Sequence, residues 1–295
     1  MASLKEVKGR IGSVKGTLKI TSAMKMVASA KLHKAQEVIE GMLPYEQQLS
    51  RIFTGFMSSG RMPDTPLINE RPVKNIALVV CSSNNSLCGG FNANVVRMVN
   101  QWLQQHEDLG KEHIKIFAVG RKVAEAVRKA GYEVVGDYTH LADKPSYDEA
   151  AALAETLMQA FLQGEVDRVE LIYHHFRSTA SQTLEHAVFL PFVQPAVEET
   201  ENENKEAEEE ELADYIVEPS VPELLQQLLP SVLRTKIYTV VLDSSASEHA
   251  ARTMAMQVAT DNANDLIQDL TIMYNKSRQQ VITNELLDIM GGSMS

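Results

Sequence analysis

Between residues 4 and 56 the apolar side chains recur at alternating steps of three and four, a spacing that serves a long helix lying against another helix. The seam reads Leu4, Val7, Ile11, Val14 and Leu18, then Ala28, Leu32, Ala35, Ile39 and Met42, then Leu49, Phe53 and Phe56. Thr21, Lys25 and Glu46 interrupt it. A repeat averaging 3.5 residues keeps one stripe facing a partner and favours a left-handed supercoil. At about 1.5 Å per residue such a helix is roughly 80 Å long, more than a globular domain can cover. The pattern therefore predicts a rod.

A partner for it lies at the other end of the chain. Residues 231–290 contain neither Gly nor Pro, the residues that most often interrupt helices. Within them Met256, Ala259, Ala263, Leu266, Leu270 and Met273 again step by three and four. Two helices this long exceed the usual 11 to 12 residues so far that an intramolecular antiparallel coiled coil is expected. That helix should begin near Pro222 and bend at Pro230.

Between the rods the rhythm changes. Short apolar runs at 75–81, 114–119 and 168–174 alternate with helical patterns at 92–105, 121–130 and 147–161, which predicts βαβ units around a mostly parallel sheet. A run at 187–193 adds an edge strand in which Pro191 is tolerated. The fold class expected is α/β: a long coiled coil of terminal helices plus a central Rossmann-like βαβ domain. Its parts are an N-terminal helix over 1–60, the α/β domain over 73–195, an acidic loop over 196–220 and a C-terminal helix over 221–292. The proline-rich segment 61–72 links the first two.

Charge is distributed unevenly along the 295 residues, whose net charge is -11. Residues 1–36 carry Lys5, Lys8, Arg10, Lys15, Lys19, Lys25, Lys31 and Lys34 against Glu6 alone, a formal +7. Residues 198–211 carry nine Glu against Lys205 and read as a solvated loop. The basic helix suits a solvated face, a nucleic-acid patch or a surface working beside acidic protein partners. No apolar run approaches 18 residues, so no membrane span is expected. Two cysteines, Cys81 and Cys88, make neither a disulfide framework nor a zinc set and fit a reducing compartment.

Catalytic chemistry is hard to find. No G-x-x-x-x-G-K-[ST] follows the first strand, and Gly89-Gly90 lacks the G-x-G-x-x-G spacing that brings backbone amides to a pyrophosphate. The pair reads as a turn into the following helix. His174 and His175 end a strand with no nucleophile motif or ligand spacing around them, so no catalytic, cofactor or metal site is expected. Gly9, Gly12 and Gly16 fall on the side of the first helix away from the seam, each costing about 1 kcal/mol of helix stability relative to Ala. Either this is a tolerated loss near a terminus, or neighbouring protein passes too close there for side chains.

Three stretches carry a resemblance. Residues 19–36 (KITSAMKMVASAKLHKAQ), 87–92 (LCGGFN) and 250–285, with its A-T-D-N-A and Y-N-x-x-R-Q elements, resemble the gamma subunit of the F-type rotary ATP synthase, in the right order along nearly the whole chain. The resemblance implies a central rotor shaft that couples proton flow through a membrane c-ring to ATP synthesis or hydrolysis in a ring of alpha and beta subunits. It implies an epsilon subunit as a further partner, no catalytic residue or cofactor of its own, and no nucleic acid or direct membrane span. A place on the cytoplasmic face of a bacterial inner membrane follows, the lack of a transit-like N-terminus favouring a bacterium. By the same resemblance Met24 and Lys25 of the first helix, and Arg252, Gln279, Thr283 and Glu285 of the second, contact the alpha/beta ring.

One departure stands out. Where the family usually shows S-D-R-G before the LCGG turn, this chain has Ser83, Asn84, Asn85 and Ser86, which removes a charge pair. Two other classes stay open on the residues alone: a nucleic-acid-binding coiled coil, which lacks aromatic stacking positions among its lysines, and a small-molecule enzyme on the βαβ domain, which lacks a phosphate loop.

Overall fold

The computed structural model describes residues 3–58, 65–192, 217–218 and 220–292. The acidic run 198–211 lies outside the described residues. Helix α1 spans Leu4–Ser58 and helix α6 spans Val221–Gly292, as the seams predict. Both run through an internal proline, Pro44 in α1 and Pro230 in α6, each of which deletes one backbone donor from its helix.

Between them lie β1 (Ile76–Cys81), α2 (Phe91–Gln105), β2 (Ile114–Val119), α3 (Arg121–Lys129), α4 (Thr139–Asp143), α5 (Tyr147–Leu162), β3 (Arg168–Phe176) and β4 (Gln182–Leu190). The sheet order is β2-β1-β3-β4; β1 runs parallel to β2 and β3, and β4 is antiparallel to β3. The edge strand differs from expectation. It starts at Gln182 and ends before Pro191, whereas the apolar run suggested 187–193. Four of residues 182–186 are polar, and the segment pairs with the end of β3, His174 opposite Leu184 and Phe176 opposite Gln182, so hydropathy did not mark it. Helix α4 has five residues, too few to display a period.

All six residues of β1 are buried, as befits an inner strand covered on both faces. Side chains alternate along it. Ile76, Leu78 and Val80 pack with Val95, Val99 and Trp102 of α2 and Val123 and Val127 of α3. Ala77, Val79 and Cys81 share the opposite cluster with Leu153, Leu157 and Phe161 of α5, with Phe53 of α1, and with Leu225, Leu229, Leu233 and Ile237 of α6. The two helices thus form the cover of one sheet face.

By contacts the chain divides into two compact units, 31–251 and 1–30 with 252–295. In the larger unit α1 and α6 pair antiparallel: Leu32 packs with Ala246 and Ala250, and Thr239 Oγ1 donates to Glu46 Oε2 at 3.3 Å. The smaller unit has its own seam, with Val7, Thr21 and Ala28 of α1 and Met256, Ala263 and Leu270 of α6 buried.

The α6 seam departs from the apolar reading at two positions, Leu266 and Met273. Leu266 is 47% and Met273 50% exposed, while Thr260, Ile267 and Tyr274 are half-buried. Ala259 is half-buried like Thr260, so both face inward there. Beyond Ala263 the inward line runs 267, 270 and 274 where the apolar reading ran 266, 270 and 273.

Candidate interaction surfaces

Four of the six positions singled out by resemblance lie on α6 and two on α1, all in the smaller unit. Met24, Lys25 and Arg252 are half-buried; Gln279, Thr283 and Glu285 are exposed. Arg252 and Gln279 are separated by roughly 40 Å of helix, so the set forms two groups and not one site. Gln279 and Thr283 share a face one turn apart. The Thr283 hydroxyl donates to the Gln279 carbonyl at 2.9 Å, which leaves an oxygen lone pair and the Gln279 amide turned to the surroundings.

What the apolar seam did not disclose is how much apolar surface remains outside it. Val281, Ile282, Leu286, Leu287, Ile289 and Met290, at the end of α6, are between 41% and 69% exposed. Ile20, Met26 and Val27 on α1 are likewise exposed, at 59% to 64%. Exposed apolar side chains gathered at one helix end make a candidate protein-binding surface. Period alone cannot say which residues a partner helix covers. A methyl group added at Gly9, Gly12 or Gly16 meets nothing within 4 Å, so this chain's own packing does not require glycine there.

The α/β domain uses its phosphate-binding geometry on itself. In doubly wound sheets ligands bind beyond the carboxyl ends of the strands, often at the amides opening a helix. Here the first three amides of α3 are already bonded. Arg121 N–H donates to Asn84 Oδ1 at 2.9 Å, Lys122 N–H to the Ser83 carbonyl at 3.1 Å and Val123 N–H to Ser82 Oγ at 3.1 Å. Gly120, at φ 109°, permits this approach, since a Cβ there would lie 2.2 Å from the Ser82 carbonyl oxygen.

The same segment resolves the departure from S-D-R-G. Asn84 uses both ends of its amide, donating through Nδ2 to the Thr139 carbonyl at 2.7 Å while accepting from Arg121. Ser83 Oγ donates to the Asn85 carbonyl at 2.6 Å, and Asn92 Nδ2 reaches the same oxygen at 3.3 Å. A neutral network holds this turn.

The two histidines at the end of β3 are held by different neighbours. His174 is buried and stacked on Phe91 with ring centroids 4.3 Å apart, and burial pushes its pKa down to about 4. His175 Nδ1 lies 2.7 Å from Asp243 Oδ2 on α6. Burial pushes the Cys81 thiol up to about 12, which makes it inert. Among the described residues no group of three or more His, Cys, Asp or Glu is placed to hold a metal ion, and no helix is long and apolar enough to cross a membrane.

Comparison with known proteins agrees along the whole chain. The ATP synthase family model matches residues 3–295. The ATP synthase gamma chain of Phocaeicola vulgatus is 61% identical over 100% of both chains, and that of Bacteroides thetaiotaomicron is 59% identical, also over 100% of both. Among solved structures, a chain of the Euglena gracilis mitochondrial ATP synthase (OSCP/F1/c-ring, rotational state 3) aligns with a TM-score of 0.65 at 21% identity, covering 99% of this chain and 93% of that one. A chain of the Tetrahymena thermophila mitochondrial ATP synthase central stalk and c-ring aligns at 0.55 and 24%, covering 81% and 99%. At such identities these two bear on the fold. Two long helices bracketing a self-capped α/β domain, and full-length identity to gamma chains, lead to one conclusion: the chain belongs to the family of ATP synthase gamma chains.

Proposed function

We propose that this chain turns as the central shaft of a proton-translocating ATP synthase, linking rotation of a membrane c-ring to the nucleotide states of an alpha/beta catalytic ring. The observation that carries the reading is the exposed apolar end of α6, from Val281 to Met290. A helix end this apolar calls for a sleeve of protein, and apolar contacts, being non-directional, let it rotate within that sleeve.

In this reading 1–60 and 221–292 supply the shaft, and 73–195 supplies a domain that works beside the c-ring and an epsilon subunit. The chain is non-catalytic, its part in the reaction being mechanical. Met24 offers a polarizable contact that adapts to successive environments. Lys25 and the other α1 cations attract acidic segments of the ring weakly, because exposed ion pairs contribute about 0 to 1 kcal/mol and so do not arrest motion. Arg252, Gln279, Thr283 and Glu285 exchange hydrogen bonds with each subunit in turn. The assembly places the chain on the cytoplasmic face of a bacterial inner membrane, held there peripherally.

Native mass spectrometry of the complex purified gently from host membranes tests the reading. One copy of this chain with three each of two nucleotide-binding subunits is the expected composition. A free monomer or homodimer, under conditions that preserve complexes, overturns it.

A further inference from the structure

The end of β3 is stitched to α6 by polar bonds beside an apolar cluster, along a stretch of α6 in which Ser244, Ser245 and Glu248 are buried as well. The His174 carbonyl accepts a hydrogen bond from Ser247 Oγ at 3.3 Å, and His175 Nδ1 lies 2.7 Å from Asp243 Oδ2. Asp243 and Ser247 are four residues apart on α6, so they stand one above the other on a single helix face. Both are buried, at 8% and 0% exposure. Around them Val240, Val241 and Leu242 supply apolar contacts to the same cluster as the sheet.

Apolar packing is non-directional and has several nearly equivalent settings along a helix. A charge-assisted bond with a second bond one turn away has one. The charged and titratable groups around the pair come from several elements. Burial, with Glu46 of α1 adding to it, raises the Asp243 carboxyl above its ordinary value, and His175 and Lys236 offset part of that rise. Tyr173 of β3, beside Glu185 of β4, also feels the Asp243 charge. Aspartate at this position is therefore desolvated and retained beside a specific partner.

We propose that the His175–Asp243 and His174–Ser247 bonds form a register lock that fixes the α/β domain to α6, so that torque applied to the domain is delivered to the helix without slippage. Asp243 and Ser247 are positioning residues in rotary coupling, a role that rests on the shaft reading above. The lock touches neither nucleotide nor proton. Its loss separates hydrolysis from pumping.

The test uses the assembled complex in sealed vesicles, with ATP hydrolysis and vesicle acidification measured on the same preparation. A complex carrying Asp243→Ala with Ser247→Ala is expected to hydrolyse ATP within about twofold of the unaltered complex while its acidification per ATP falls by about threefold or more. Asp243→Asn, which keeps an oxygen acceptor for the His175 N–H, is expected to restore most of it. Full acidification by the double variant, or equal proportional loss of hydrolysis and acidification, overturns the lock. If the double variant does not assemble, Ser247→Ala alone decides: amide exchange over residues 168–176 is expected to quicken, and unchanged exchange overturns the proposal. An unaltered complex that hydrolyses ATP without acidifying vesicles sinks the shaft reading itself, whatever the variants do.

Discussion

Thr260 Oγ1 of α6 lies 3.0 Å from Thr21 Oγ1 of α1, a hydroxyl pair set inside an apolar seam. Thr21 is 9% exposed and donates to the Leu18 carbonyl at 3.1 Å, which leaves it an acceptor for Thr260. The single Thr260 proton is shared between the Thr21 oxygen and the Met256 carbonyl, which lies 2.7 Å away. A buried polar pair opposes any register that separates its members, as a single polar position does in other coiled coils. Thr260→Val alone leaves the buried Thr21 oxygen without its donor and is expected to destabilise the chain by about 1 kcal/mol, and Thr21→Val with Thr260→Val to recover most of that loss, since the matched apolar pair holds no such oxygen. Urea denaturation of the four variants in a double-mutant cycle measures this; simple additivity would show that the pair does not couple.

Lys25 interrupts the same seam and is half-buried. If it works beside acidic segments of the ring, Lys25→Glu replaces a weak attraction by a repulsion. Assembly is expected to survive while protons pumped per ATP decline. Unchanged pumping efficiency would remove Lys25 from the contact surface.

Gly12 can be tested in two directions at once. Open space surrounds the position within this chain, so Gly12→Ala should raise the stability of the isolated protein by about 1 kcal/mol through helix propensity. In the assembled complex the same change is expected to lower the turnover rate, if partner protein passes close to this face. A variant that gains stability and keeps full turnover shows that the glycine answers no neighbour.

The pH dependence of stability should carry the mark of His174. Its pKa in the folded state is lowered from 6.5 to about 4 by burial, and its Nδ1 has no hydrogen-bond partner among the described residues. A lowered value means that the unfolded chain binds the proton first. Stability is therefore fully present above about pH 6.5 and is lost as pH falls toward 4, by about 3 kcal/mol at most. Thermal melts of His174→Leu between pH 7 and 4 are expected to show a shallower decline than the unaltered chain; parallel curves would place the effect elsewhere.

Asn84→Asp brings back the residue its family usually has. The carboxylate can still accept from the Arg121 amide but cannot donate to the Thr139 carbonyl, and it sets a charge against that oxygen. A loss of about 1 to 3 kcal/mol is expected. Equal stability by chemical denaturation would mean that the loop rearranges around the carboxylate.

Much of this architecture is legible from local pattern. The lengths of α1 and α6, three of the four strands and the helices α2, α3 and α5 follow from runs and periods, because those reflect which side chains one element must bury. The polar half of β4 and the five residues of α4 carried no such mark. The positions expected to contact partners came from resemblance to a family, and their neighbours on the helix surface became visible only with exposure known: Leu266 and Met273 belong to an apolar heptad in the sequence and to the outer surface in the structure.

The sequence by itself determined that two long helices would pair and that the segment between them would be an α/β sheet without a phosphate loop. Only the tertiary structure decided the register of that pairing and the use of Asn84, Ser83 and Ser82 to cap α3. The physical reason is that period is a property of one helix, whereas register depends on the groups it meets. A threonine on α6 is an interruption until a threonine on α1 stands 3.0 Å away.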